Sequence, residues 1–131
     1  MKQILFSGDV QFWYETLRSF DHIAYGGADF GEVLAISEQI TEGDYGSRYN
    51  AYLAAADRIA AEADDVLRAG HRVSGRDGLL RASSYYRLAD FFLQGHPDDP
   101  PHCRAYDRSV ECFQRAAALF IPPVRLVELP V

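Results

Sequence analysis

Apolar residues recur at three- and four-residue steps through five segments of this chain, and glycine or proline separates one segment from the next. Such spacing places the apolar side chains on one face of a helix. It predicts five amphipathic helices, at about 9–25, 29–41, 47–69, 74–94 and 100–120. Glycines at 26, 27, 46, 70 and 95 and prolines at 122 and 123 would end them.

Four of the predicted helices begin with a residue that can cap free backbone amides. Ser7 or Asp9 would cap the first helix, and Asp29 with Glu32 resembles a capping box at the second. Ser74 and Asp99 precede the fourth and fifth. The buried stripes would be Val10, Trp13, Leu17 and Phe20 in the first helix, Leu79, Ala82, Tyr86, Ala89 and Leu93 in the fourth, and Tyr106, Val110, Phe113 and Ala117 in the fifth.

The last eight residues, 124–131, differ from the helical segments because they are rich in apolar and β-branched side chains and have the length of a strand. The other segment with strand character is 3–6, so we expect the tail to pair with a sheet outside these 131 residues. The predicted organisation is a helical, bundle-like domain over 1–121, followed by a linker and one strand over 122–131. A tail that pairs within the chain, or that lies free in water, would count against this inference.

Charge and composition exclude several classes of protein. The net charge of −6 and the scattered arginines argue against a nucleic-acid binder. No segment is apolar over the length of a membrane span or a signal peptide, which predicts a cytoplasmic protein. Cys103 and Cys112 are too far apart along one helix for a disulfide, which predicts two reduced core thiols. Together with His96 and His102 they do not have zinc-ligand spacing, so we expect no metal and no cofactor.

Three segments carry a resemblance to a known family. Residues 74–93 (SGRDGLLRASSYYRLADFFL), 108–113 (RSVECF) and 121–130 (IPPVRLVELP) resemble the N-terminal helical region of certain α/β-hydrolases and the first strand that follows it. That family includes 2,6-dihydroxypseudooxynicotine hydrolase, the fungal yellowish-green heptaketide hydrolases and the fermentation–respiration switch protein. The resemblance covers residues 47–131 best.

The resemblance implies a helical cap over a Ser-Asp-His hydrolase domain that cleaves C–C or ester bonds in aromatic or polyketide-like substrates. Such enzymes present the serine in a G-x-S-x-G turn. The 131 residues do not contain that motif; residues 70–75 (GHRVSG) approach it with the wrong spacing. We therefore expect the chain to shape the pocket without being catalytic alone. Its expected partners are the catalytic domain, on the same or a separate polypeptide, a small aromatic substrate, and a second copy of itself.

Arg81, Tyr85 and Tyr86 are the predicted substrate-binding residues. Residues 81 and 85 share a helix face, and a guanidinium with a phenol could bind a carbonyl or phenolate. The alternative is structural, with Tyr86 in the core and Arg81 in a salt bridge. Phe12, Trp13 and Tyr14 are equally well explained as core or as a patch for a partner. His71 fits a surface loop, and the acidic residues between 57 and 65 fit a solvated helix face.

Two other functions stay open at this level. Helices four and five resemble one unit of a tetratricopeptide-like interaction module, although no second copy at a 34-residue period is visible. A helical subunit that dimerises through the tail strand is the other. A G-x-S-x-G motif beyond residue 131 would favour the hydrolase over both.

Overall fold

The computed structural model describes residues 2–93 and 98–130. Five α-helices lie within these ranges: α1 Val10–Asp21, α2 Phe30–Ser37, α3 Tyr45–Arg68, α4 Arg72–Asp90 and α5 Pro100–Leu119. Short 3-10 turns, His22–Tyr25 and Phe91–Leu93, extend α1 and α4. The all-helical prediction and the number of helices are confirmed. Gly95, the predicted end of the fourth helix, lies outside the described residues.

A tight turn joins the two longest helices, α3 and α4. Gly70 has φ +89°, a left-handed conformation that glycine adopts without strain. The amide of His71 donates to the Val66 carbonyl at 2.9 Å, which satisfies the end of α3. Because the chain reverses here at once, α4 begins at Arg72. The prediction that Ser74 caps this helix is wrong, since Ser74 lies inside its first turn.

Helix α4 packs between α3 and α5 and is the centre of the fold. Twelve of its nineteen residues are buried, so it has neighbours around most of its circumference. Its predicted stripe is confirmed from Leu79 to Ala89, while Leu93 is half-buried. A Cβ atom at Gly78 would lie 3.0 Å from the Cβ of Ala63. Small residues therefore set the close approach of α3 to α4.

Helix α1 is rotated relative to the sequence prediction. Asp9 caps it as expected, accepting from the amides of Gln11 and Phe12 at 2.9 and 3.0 Å. However, Val10 is 72% exposed, so its placement in the buried stripe is wrong. The buried side instead contains Thr16 and Ser19. Their hydroxyls donate to carbonyls four residues earlier, which lets polar side chains lie inside the fold at low cost.

Helix α5 also presents its large apolar side chains outward. Its buried residues are small: Ala105, Cys112, Ala116 and Ala117. The hydroxyls of Ser83 and Ser109 each donate to the other residue's carbonyl, at 2.8 and 2.9 Å, where α5 meets α4. This close contact uses the small-residue face. The predicted stripe is therefore wrong except at Ala117, because Tyr106, Val110 and Phe113 are 54%, 37% and 45% exposed.

The tail after α5 has no regular secondary structure in its described part, residues 120–130. The peptide bond between Ile121 and Pro122 is cis, and the Val124 amide donates to the Ala117 carbonyl at 3.0 Å. Beyond that bond the apolar side chains are exposed, with Leu129 at 78%. The predicted strand is not observed.

Candidate functional site

Arg81 and Tyr85 meet at one carboxylate, that of Glu32 on α2. The Tyr85 hydroxyl donates to Glu32 Oε2 at 2.7 Å, and Arg81 Nε donates to the same oxygen at 3.1 Å. The Asp29 amide donates to the Tyr85 hydroxyl at 3.0 Å. Tyr85 is fully buried, and burial, together with the hydrogen bond to Glu32, raises its pKa well above the usual range. The phenol therefore stays protonated.

This cluster also changes the capping arrangement predicted for α2. Asp29 Oδ1 accepts from the Glu32 amide at 3.0 Å, which is the expected half of a capping box. The Asp29 amide is bound by Tyr85, and the Glu32 carboxylate is bound by Tyr85 and Arg81. Helix α4 thus supplies the groups that hold the start of α2.

Tyr86 points away from that cluster. Its hydroxyl donates to the Asp57 carboxylate on α3 and accepts from Arg108 Nε on α5 at 3.3 Å. Arg104 binds the other oxygen of Asp57 at 2.9 Å. Burial, with the Asp57 hydrogen bond, raises the pKa of Tyr86 to about 12. Tyr86 therefore ties α3, α4 and α5 together.

The three predicted substrate-binding residues thus fall into two separate groups. Arg81 and Tyr85 share one partner, whereas Tyr86 lies in another network. The structural interpretation of these residues required Tyr86 in the core and Arg81 in a salt bridge. Tyr86 is indeed buried, and Arg81 forms a salt bridge with Glu32 at 3.1 Å. The substrate contact stays a prediction. Arg81 is the member with an exposed fraction, 28% of its side chain.

Three side chains, His22, Tyr25 and Ser84, form a hydrogen-bonded series that the sequence did not predict. The Tyr25 hydroxyl lies 2.7 Å from His22 Nδ1 and 3.1 Å from Ser84 Oγ. A Cβ on Gly27 would lie 2.4 Å from the Tyr25 ring, so this glycine lets the ring lie against the backbone. Burial, followed by the charge of Arg18, lowers the pKa of His22. A neutral His22 ring can accept a hydrogen bond from the Tyr25 hydroxyl at Nδ1. The only sequence signal was the i, i+3 spacing of His22 and Tyr25.

A second group that the sequence did not reveal is buried between α1 and α3. The Arg48 guanidinium is 1% exposed, and its three nitrogens have no hydrogen-bond partner among the described residues. It lies over the rings of Tyr52 and Phe92, at 4.9 and 5.2 Å. Glu15 is also buried nearby, at 4% exposure. Burial lowers the pKa of Arg48.

Besides the tail, the described helices expose two groups of apolar side chains that bear on binding. One group lines a cavity of about 300 Å³ between α1, α2 and the N-terminal segment and consists of Ile4, Leu5, Trp13, Leu17, Phe20, Phe30 and Leu34. The other, which we name the α5 stripe, consists of Tyr106, Val110 and Phe113. The three α1 aromatics divide between the two interpretations: Phe12 is fully buried, Tyr14 is 55% exposed, and Trp13 lines the cavity.

The remaining candidates have ordinary environments. His71 is exposed at the start of α4. His102 Nδ1 pairs with the buried Asp90 carboxylate, and His96 lies outside the described residues. Cys112 is buried but Cys103 is exposed, so the prediction of two core thiols is wrong for Cys103. The described residues contain no group of three or more side chains suited to a metal ion.

The lengths and apolar content of the helices bear on membranes. Across residues 2–93 and 98–130, no helix is both long enough and apolar enough to cross a bilayer.

Comparison with known proteins relates the chain to fungal hydrolases. It is 37% identical over 108 residues to hydrolase acrC of Aspergillus aculeatus, 34% identical over 125 residues to α/β-hydrolase xenA of Xenoacremonium sinensis, and 31% identical over 119 residues to the 20-hydroxy-prefusarin hydrolase FUS2 of Gibberella moniliformis. These matches cover 82%, 95% and 91% of this chain, but 25%, 29% and 28% of the relatives. No protein-family profile matches the chain. No solved structure matches it either.

Proposed function

The chain is related to one part of a family of α/β-hydrolases, as its resemblance to their N-terminal region implied, and on that premise we propose that it is the helical cap of such an enzyme. The cap would shape the substrate pocket and exclude water from the reaction. The catalytic serine, histidine and acid would come from a second domain, on the same or a separate polypeptide. The whole enzyme would hydrolyse a C–C or ester bond in an aromatic or polyketide-like substrate.

The observation that carries the proposal is the coverage of the matches. The chain spans 25% to 29% of the length of the three hydrolases named above, and its 131 residues contain no G-x-S-x-G motif. A helical segment of that size, without a nucleophile, fits a domain that accompanies catalysis. The exposed tail gives no support of its own, because it forms no strand in the described chain.

The α5 stripe is the surface that we assign to the catalytic domain in this proposal. Tyr106, Val110 and Phe113 follow one side of α5, and the tail that leaves this helix exposes Leu126 and Leu129. Aromatic side chains are enriched at the centres of protein interfaces. Both the stripe and the tail leave large apolar side chains open to solvent in the last quarter of the chain. A second copy of the chain is the competing occupant.

The first test is the mass of the native polypeptide together with its activity. We expect the native protein, as one polypeptide or as a complex, to have a mass well above the 14.7 kDa of this chain. It should hydrolyse p-nitrophenyl butyrate, and a serine-directed inhibitor should abolish that activity. The purified 131-residue chain should not hydrolyse the ester. Serine-dependent turnover by the 131 residues alone would overturn the proposal.

The second test concerns the α5 stripe. In the native hydrolase, Phe113→Glu should weaken the association of the helical and catalytic parts and lower kcat/KM. Val73→Glu is the matched control, since Val73 is a comparably exposed apolar residue, at 59%, in the first turn of α4. Equal effects of the two substitutions would show that the α5 stripe is not part of the interface. If the chain forms a dimer, and Phe113→Glu abolishes this dimer while Val73→Glu does not, the stripe is a contact between two copies of the chain.

A further inference from the structure

A cleft between the last turns of α1 and α4 combines basic side chains with an aromatic wall. Its volume is about 60 Å³, and its lining consists of Glu15, Arg18, His22, Arg87, Leu88 and Phe91. One water needs roughly 10–15 Å³ of such space, so a carboxylate group can enter the cleft. Binding sites for small molecules typically place a few polar groups within apolar walls.

Arg18 is held at one side of this cleft. Its guanidinium lies 5.7 Å from the centre of the Phe91 ring and 6.0 Å from the centre of the Tyr14 ring. Arg18 Nη1 donates to both oxygens of Glu15, but at 3.4 Å these are long contacts. Half of the Arg18 side chain is exposed. A ligand can therefore reach the other nitrogens of this guanidinium.

Arg87 and His22 supply the other donors. Arg87 is exposed, and it forms no hydrogen bond or ion pair with another residue of 2–93 or 98–130. The Tyr25 hydroxyl lies 2.7 Å from His22 Nδ1, so Nε2 is the ring nitrogen left for a ligand. When Nδ1 accepts from Tyr25, the neutral ring carries its hydrogen on Nε2, which makes Nε2 a donor.

The charges around the cleft do not balance. Besides the two arginines of the lining, Arg48 acts on the buried Glu15 from the interior, and Asp21 acts on His22 from the end of α1. With a neutral imidazole, three guanidiniums and two carboxylates leave a net charge of +1. The whole chain, by contrast, has a net charge of −6. A local excess of this sign attracts an anion, and its size matches a single negative charge.

We infer that this cleft binds the carboxylate of a small organic acid. Arg18 and Arg87 would donate to its oxygens, because a guanidinium has the planar fork that fits a carboxylate. Phe91 would contact the apolar part of the acid. The inference does not rest on the proposed function, since the cleft belongs to α1 and α4 and contains no residue of the α5 stripe.

His22 should couple this binding to protons. Burial and the charge of Arg18 lower the pKa of the free ring from its usual 6.5; among the weaker influences, Asp21 raises it and Arg87 lowers it. The Tyr25 hydroxyl is the group in contact with Nδ1. A bound carboxylate adds a negative charge, which raises the pKa of the ring. Affinity should therefore increase as pH falls through the pKa of the bound state, and level off below the pKa of the free state.

The test compares benzoate with benzamide, a neutral molecule of nearly the same shape, and with inorganic phosphate. Isothermal titration calorimetry on the 131-residue chain and on the native protein would give the dissociation constants. We expect saturable binding of benzoate by both proteins, at least about tenfold tighter than that of benzamide. Benzoate should also bind more tightly at about pH 6 than at about pH 8.

Three results would contradict the inference. Equal affinity for benzoate and benzamide would show that the positive charges do not bind the ligand. Tighter binding of phosphate than of benzoate would overturn the carboxylate as the ligand class. Benzoate binding by the 131-residue chain but not by the native protein would show that the cleft is covered in the native protein, whatever its hydrolase activity.

Matched arginine variants locate the bound carboxylate. Arg87→Gln removes a charge that has no partner in the described chain, so the thermal midpoint should not change, while benzoate binding should weaken at least about fivefold. Arg58→Gln removes the same charge from α3, at a side chain that is 56% exposed and outside the lining, and should leave binding unchanged. Equal weakening by both variants would show that benzoate responds only to the overall charge, and would overturn the site.

A third variant tests the coupling to protons. His22→Asn should remove the difference in benzoate affinity between about pH 6 and about pH 8, because asparagine does not titrate in this range. Benzamide is the control ligand, since its binding should not depend on pH in either protein. A pH dependence for benzoate that persists in His22→Asn would overturn the part assigned to His22.

Discussion

Helices α1 and α4 differ in how much apolar surface they bury. Helix α4 is buried around most of its circumference, and leucine, alanine and tyrosine make up more than half of its twelve buried residues. Helix α1 buries Phe12 and Trp13 on one side only, together with Glu15, Thr16 and Ser19. It leaves Val10 and Tyr14 in solvent. Apolar burial stabilises a helix in proportion to the area removed from water. The free energy that holds this fold must therefore be concentrated around α4.

The difference also shows what the outer helices are available for. Helix α4 has no large apolar face left uncovered, whereas α1 lines an apolar cavity and α5 carries an exposed stripe. Exposed apolar patches of this kind mark binding surfaces on many proteins. In this chain the central helix provides stability, and the two outer helices provide the surfaces, or part of them, on which binding is proposed.

The largest expected effect tests this division directly. Leu79→Ala removes a fully buried side chain from α4 and should lower the free energy of unfolding by about 2–5 kcal/mol. Leu17→Ala makes the same change on α1, in the wall of the open cavity, and should cost less than about 1 kcal/mol. Urea unfolding followed by circular dichroism would measure both. Equal losses would show that α1 is as important to stability as α4.

The same comparison explains which predictions from the sequence succeeded. The stripe of α4 was predicted correctly from Leu79 to Ala89 because this helix has neighbours on nearly every side. For α1 and α5, periodicity identified the apolar side correctly, but it does not identify the side on which the neighbouring helix lies. In α5, the side that contacts α4 is the one with small residues, where Ser109 and Ala116 permit close packing.

Only those contacts of the site that lie within one helix could be predicted from the spacing of residues in the sequence. The four-residue step between Arg81 and Tyr85 predicts that they share a helix face, and in the structure both donate to Glu32 Oε2. That partner, Glu32, is 53 residues away from Tyr85 in the sequence. The contact of Tyr25 with Ser84 spans 59 residues. Without an observed helix pairing, no single-sequence pattern brings such residues together.

The polar interior below α1 provides the second prediction. Arg48 is buried, its guanidinium has no hydrogen-bond partner within residues 2–93 and 98–130, and Glu15 is buried nearby. Replacing buried charges by side chains of similar shape is often neutral or stabilising. The double variant Arg48→Met with Glu15→Gln should therefore raise the free energy of unfolding, by about 1–3 kcal/mol. Arg48→Met with Glu15 retained should gain less. A loss of stability in the double variant would show that the charges stabilise α1.

A smaller effect is expected where α4 holds the start of α2. Tyr85→Phe removes a hydroxyl that binds both the Glu32 carboxylate and the Asp29 amide, and it should cost about 1–2 kcal/mol. Tyr25→Phe also removes a hydroxyl with two partners, but from a side chain that is 57% exposed, and should cost less than about 0.5 kcal/mol. Thermal unfolding of the two variants side by side would measure the difference. A larger loss for Tyr25→Phe would contradict the central role of α4.

The pH dependence of stability tests the contacts of α4 in a different way, because it follows a single proton. Burial, with the Asp57 hydrogen bond, raises the pKa of Tyr86 from 10.0 to about 12. Between these values the unfolded chain has lost the phenolic proton and the folded chain retains it, so stability falls as pH rises. Tyr86→Phe should reduce that slope by up to about one proton per molecule. Some slope should remain, because burial also raises the pKa of Tyr85. Urea midpoints of the unmodified chain and of Tyr86→Phe, measured across this pH range, would test the prediction. Equal pH dependence of the two proteins would show that Tyr86 is not the group that retains the proton in the folded state.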